Sequence, residues 1–185
     1  ITGRSSHAGS TPMAMRHDAG FVAGCIAQYV RTITKKIGKN QVGTVGFVKI
    51  TPNLVNVIPG EVTMTVDLRN TDEEELQKAE KMLYAFIKKL SDKEGVMVAC
   101  RTLARFVPEY FDKTMVTLVE TQARLLGYTT KKMPSGAGHD AQILARMCPA
   151  AMIFVKSEEG ISHNIKEFTK EEDLEAGANT LLQVV

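Results

Sequence analysis

Apolar side chains between residues 17 and 37 fall at Val22, Ile26, Val30, Ile33 and Ile37, a four, four, three, four spacing that lines one helix face. Gly38 follows the last of them and suits a C-cap. Residues 42–50 are rich in Val, Ile, Thr and Phe and read as a strand, ended by Pro52 and a turn at Asn56-Val-Ile-Pro-Gly60. Over residues 61–69, Val62, Met64, Val66 and Leu68 alternate with Thr63, Thr65, Asp67 and Arg69, which predicts a strand with one buried and one polar face. Thr71-Asp-Glu-Glu74 has the form of a capping box, opening a helix whose apolar face is Leu76, Ala79, Leu83, Phe86 and Leu90. Lys88, Lys89 and Gly95 suit its C-terminal end. Residues 96–105 return to a strand-like pattern. With a first strand over residues 1–7, the order is strand-helix-strand-strand-helix-strand, which predicts a ferredoxin-like βαββαβ sandwich over residues 1–106.

Beyond Pro108 the pattern changes. A helix fits 112–126, a Gly-rich turn spans 135–140, and a short helix runs to Met147. The continuous run Ala150-Ala-Met-Ile-Phe-Val155 predicts a strand buried on both faces. A second capping box, Thr169-Lys-Glu-Glu172, opens a last helix with Leu174, Ala178, Leu181 and Val185 on one face. One buried strand with two or three helices is too little for a doubly wound domain. Residues 107–185 are therefore expected to be the end of a larger α/β domain. The chain opens Ile-Thr-Gly, with no initiator Met and no signal peptide, and is expected to belong to a longer protein.

Charge and composition narrow the function classes. Twenty-three Lys and Arg against 21 Asp and Glu give +2, too little to point to nucleic acid or an anionic membrane. No apolar run approaches the ~20 residues of a membrane span. Three scattered cysteines, Cys25, Cys100 and Cys148, match no metal or redox spacing and fit a reducing, cytoplasmic setting.

The candidate chemistry lies in loops. His163 follows the expected buried strand, where ligands of open α/β sheets bind, and a neutral imidazole there suits a metal; from spacing alone the plainer reading is a loop histidine bonded to backbone. No HExxH or HxD motif and no His/Cys cluster completes a metal site. His139 sits in a Gly-rich turn at a helix start, which favours close approach of an anionic ligand; the plainer reading is a helix-start residue held by Asp140. The same stretch spells GxGxxA, but Lys131, Lys132 and Pro134 stand where a dinucleotide site needs an apolar strand. Arg69 can grip a carboxylate in a bidentate fork or simply pair with Asp67. Asn56 can offer its amide to the same ligand or stabilise its own turn. His7 lies among small residues between a strand and a helix, exposed or facing a partner.

Four strings in order then carry a resemblance: Gly3-Arg-Ser-Ser-His7-Ala-Gly-Ser-Thr-Pro-Met13; Pro52-Asn-Leu-Val-Asn56-Val-Ile-Pro-Gly60 with Asp67-Leu-Arg69; Pro134-Ser-Gly-Ala-Gly-His139-Asp-Ala141; and Gly160-Ile-Ser-His163. Together they resemble the hydantoinase/carbamoylase family of binuclear-metal amidohydrolases, a branch of the aminoacylase/carboxypeptidase superfamily. The resemblance implies hydrolysis of the ureido C–N bond of N-carbamoyl-L-amino acids, allantoate, ureidoglycolate or β-ureidopropionate, with two divalent metal ions (Zn, Mn, Co or Ni). It implies a metal-ligand role for His163, substrate binding by His139, Asn56 and Arg69, and a catalytic lid role for His7 in the partner's site of a homodimer. Residues 1–106 then correspond to the lid and dimerisation domain, and residues 107–185 to the C-terminal portion of a zinc-peptidase-like catalytic domain. The N-terminal half, with the other metal ligands and a Glu general base, has no counterpart in the chain, which alone is expected to be inactive. A peptidase or aminoacylase of the same superfamily, and a non-catalytic dimerisation module, are the alternatives.

Overall fold

The computed structural model describes residues 1–38 and 40–185 and shows a mixed arrangement of helices and strands in two compact units, Ile1–Pro108 and Glu109–Val185. No helix among the described residues is long and apolar enough to cross a membrane.

In the first unit, β1 is Ser6–His7, α1 Ala19–Ile37, β2 Val42–Thr51, β3 Val57–Ile58, β4 Glu61–Arg69 and α2 Glu73–Glu94. The four-three spacing on α1 buries Val22, Ile26, Val30 and Ile33 against Leu83, Ile87 and Leu90 of α2, and β4 adds half-buried Met64, Val66 and Leu68. Tyr29 and Phe86 stack at 3.9 Å beside this core. Both helices end on glycines at positive φ, Gly38 at 67° and Gly95 at 62°, conformations that cost other residues strain.

The antiparallel β2–β4 pair runs from Val42 opposite Arg69 to Thr51 opposite Glu61, with one extra residue on β2 between Thr44 and Phe47. Beside β4, the chain start pairs through Ile1 with Val62, and Thr2 exchanges hydrogen bonds with Met97 on its other side. The expected strand over 96–105 reduces to that single bridge, because the next two amides of the start segment turn away: Gly3 donates to Gly60 and Arg4 to His17. Without a neighbour to take its backbone groups, an extended segment forms no ladder. The expected first strand likewise shortens to β1, which pairs with β3.

The caps also differ from expectation. Asp72, not Thr71, caps α2, its carboxylate accepting from the Glu74 and Glu75 amides. A carboxylate one residue nearer the helix reaches those donors directly, and Thr71 instead accepts from Asn40.

In the second unit, α3 is Lys113–Leu125, α4 Asp140–Leu144 and α5 Glu171–Val184. Asp112 caps α3 through the Met115 amide, whereas α5 starts after Lys170 with no side-chain cap, so the second expected capping box does not form. The run 150–155 is not a paired strand: Ala150 accepts from Asp112, and Phe154 and Val155 are exposed. No strand among the described residues of this unit lies beside it. With α3 and α5 it borders an apolar groove of about 490 Å³, lined among others by Met115, Val119, Ile153, Leu174 and Leu181.

Candidate functional site

Backbone pairing brings two of the candidate residues together. In the β1–β3 ladder His7 stands opposite Val57, and the next amide, Ala8, donates to the Asn56 carbonyl at 2.9 Å. The turn that presents Asn56 is closed by Val57 donating to Leu54, with Asn53 at φ 58°, a conformation that Asn tolerates better than most residues. Both His7 and Asn56 are exposed. His7 lies on β1 and Asn56 in the turn just before β3, so the ladder makes them neighbours along the backbone, each with a side chain that can hydrogen-bond a polar ligand.

Arg69 is not with them. It ends β4 eight residues from Glu61, roughly 26 Å along the strand at about 3.3 Å per residue, while the Asn56 turn joins the Glu61 end. Its guanidinium grips Asp67 in a fork, Nε at 2.9 Å from Oδ1 and Nη2 at 2.7 Å from Oδ2, with both side chains about half exposed. That hydrogen bonding holds the Asp67 carboxyl below the usual carboxylate range, against a smaller opposing effect of burial. The fork geometry expected of Arg69 for a ligand carboxylate is thus present, with Asp67 in it.

The second unit holds the other two histidines. His139 immediately precedes α4 but forms no side-chain cap; its ring meets Phe154 edge-on at 5.8 Å, and its buried Nε2 has no hydrogen-bond partner among the described residues. A buried ring nitrogen left unpaired is costly, and a ligand or a water molecule would relieve it. His163 is exposed at φ 56°, its own amide donating to Glu167 Oε2 at 2.8 Å while the imidazole projects from the turn. No hydrogen bond joins His139 and His163 among the described residues.

No group of three or more His, Cys, Asp or Glu among the described residues can hold a metal ion. His163 alone falls short of the about three protein ligands of a catalytic zinc site.

Sequence reasoning passed over Arg16 and Phe154. Arg16 donates to the carbonyls of Ala8 and Thr11 and so braces the turn that follows His7. Its sequence signal, a lone Arg just before a helix start, is not distinctive. The apolar run 150–155 predicts Phe154 as core; its ring instead is half exposed and meets His139 edge-on.

The profile of peptidase family M20/M25/M40 matches residues 6–185. An N-carbamoyl-L-amino-acid amidohydrolase of Rhizobium meliloti is 37% identical over 185 residues, all of this chain and 44% of the relative. An allantoate amidohydrolase of Escherichia coli K12 is 38% identical over 98% of this chain and 44% of its own length. The crystal structure of a hydantoinase/carbamoylase family amidase from Burkholderia vietnamiensis superposes with a TM-score of 0.96 at 38% identity, covering 99% of this chain and 44% of that one. The chain thus spans a little under half the length of the relatives it matches.

Proposed function

The chain belongs to peptidase family M20/M25/M40, and on that premise we propose that it is part of an amidohydrolase cleaving the ureido C–N bond of N-carbamoyl-L-amino acids or related ureido acids such as allantoate, ureidoglycolate or β-ureidopropionate. The observation that carries this reading is the match of the chain, over its whole length or nearly so, to enzymes named for carbamoyl and allantoate substrates. The first unit is read as a ferredoxin-like lid and dimerisation domain, which the lateral order Met97, Thr2, Glu61, Thr51 supports. The second is read as the C-terminal portion of the catalytic domain. The setting is cytoplasmic.

In this reading, His7 offers a ring N–H to the oxygen of the carbonyl under attack, and Asn56 binds a neighbouring polar group. Arg69 receives the substrate carboxylate in the fork that now holds Asp67, and His139 directs its unpaired nitrogen at the ligand. Because Arg69 and the His7–Asn56 pair stand at opposite ends of β4, a site using all three takes them from two chains of a homodimer. Family members typically depend on divalent metal ions, and a pair of Zn, Mn, Co or Ni ions belongs to this activity. Among the described residues His163 is the one candidate ligand for that pair, and one ligand is too few to hold it.

The test is ammonium release by the full-length gene product from N-carbamoyl-L-amino acids, allantoate and ureidoglycolate, set against cleavage of dipeptides and N-acyl amino acids. Ureido turnover alone supports the proposal; peptide or acyl cleavage alone transfers it to a peptidase or aminoacylase. Mixing His7→Ala with His163→Ala protein then tests site sharing. Each is expected to be inactive alone, and the mixed dimer to regain up to one working site. No recovery after verified subunit exchange rules out a His7 that serves the partner.

A further inference from the structure

The turn between β1 and α1 carries more hydrogen bonds than a connection requires. His7 Nδ1 accepts from the amides of both Gly9 and Ser10, each at 3.1 Å. Thr11 donates back to the His7 carbonyl at 3.1 Å, and the Ser6 and Thr11 hydroxyls lie 2.6 Å apart. Half-buried Arg16 closes the turn from below, Nε donating to Thr11 O at 3.0 Å and Nη2 to Ala8 O at 2.6 Å. A Cβ on Gly9 would lie 3.2 Å from Cε1 of His7, tighter than ordinary contact, so a side chain at residue 9 would press the ring to shift by a few tenths of an ångström.

Two N–H donors aimed at one ring nitrogen decide where the imidazole proton sits. A neutral imidazole has one donor and one acceptor nitrogen, and which is which follows from the bond the other makes. A proton on Nδ1 would point at two other donors. It therefore resides on Nε2 of this exposed residue, where no hydrogen bond from the described residues meets it.

We propose that Gly9, Ser10 and Arg16 are positioning residues that lock His7 in its Nε2–H tautomer, so that the turn presents a fixed hydrogen-bond donor beside Asn56. A donor already oriented needs no reorganisation when charge develops on a ligand oxygen. The lock rests on the geometry of the turn; its use toward a reacting carbonyl rests on the function proposed above.

The test is a long-range ¹H–¹⁵N correlation spectrum of the 185-residue chain with labelled histidine, recorded where the imidazole is neutral, with His7 assigned by the signal lost in His7→Gln. Expected is a pattern with protonated Nε2 and bare Nδ1. In Arg16→Met, and separately in Gly9→Ala should the first variant disturb folding, the two nitrogen shifts are expected to move toward each other as the tautomers mix. The backbone amide signals of α2 serve as the control for an intact fold. A wild-type ring protonated on Nδ1, or averaged between tautomers, overturns the proposal. So does an unchanged His7 pattern in whichever of the two variants keeps its fold. If the lock is found but His7→Ala leaves turnover by the full-length gene product intact, the lock stands and the proposed role of His7 falls.

Discussion

At the scale of single residues, Asp67 and Arg69 make the most direct predictions. Hydrogen bonding from Arg69 lowers the Asp67 carboxyl, so its folded value lies below the ordinary carboxylate value of about 3.9. A group depressed on folding stabilises the protein above its unfolded value, and that contribution is lost as pH falls through the folded one. Asp67→Asn should therefore lower stability near neutrality and flatten the acid limb of a stability–pH curve, the two proteins converging at low pH. A limb as steep as the wild type's would assign the acid sensitivity to other carboxylates. In the full-length gene product, Arg69→Lys should lower kcat/KM for carboxylate-bearing substrates by about 1.5–3 kcal/mol, since an ammonium cannot reproduce a two-point fork. Unchanged kcat/KM would leave Arg69 as a surface partner of Asp67.

The elements show where the local code is sharp. On α2, the structure separates two neighbouring residues that the capping-box pattern alone does not. Asp72 takes two helix-start amides, while the Thr71 hydroxyl accepts from Asn40. Asp72→Ala should cost about 1 kcal/mol of stability and Thr71→Ala distinctly less, measured by urea denaturation. The reverse order would return the cap to Thr71. β2 is the weak element of the first unit: it pairs with β4 alone among the described residues, and Phe47 and Val48 on it are 49% and 47% exposed. An open strand edge flanked by apolar side chains invites pairing with another chain.

For the whole molecule, that edge leads to a prediction about assembly. The chain is expected to self-associate as a two-fold dimer through residues 1–106, with β2 against its own copy in an isologous contact. Phe47→Lys should shift sedimentation equilibrium toward monomer, and a wild-type monomer at tens of micromolar would count against the dimer. Activity belongs to the same scale. With one candidate metal ligand, His163, and no metal-holding group among the described residues, the purified 185-residue chain is expected to turn over no ureido acid even when supplied with divalent metal. Measurable turnover would show that these residues suffice.

What could be read from the sequence was local. The apolar face of α1, the alternation along β4 and the glycines that end α1 and α2 follow from side-chain period and backbone freedom, which each short segment carries in itself. The motifs around His7, Asn56, Arg69, His139 and His163 were legible in the same way, as strings. Which of these residues meet was not, because proximity depends on pairing between segments far apart in the chain. Only the β1–β3 ladder sets Asn56 beside His7, and only the length of β4 carries Arg69 away from them. The run 150–155 is apolar enough for a buried strand, yet a strand exists only where a neighbour takes its backbone hydrogen bonds in a ladder, and among the described residues no ladder forms beside it. The bonds that fix the His7 ring come from backbone amides, which every residue but proline carries, so no residue identity announced them and only the closed turn aims them.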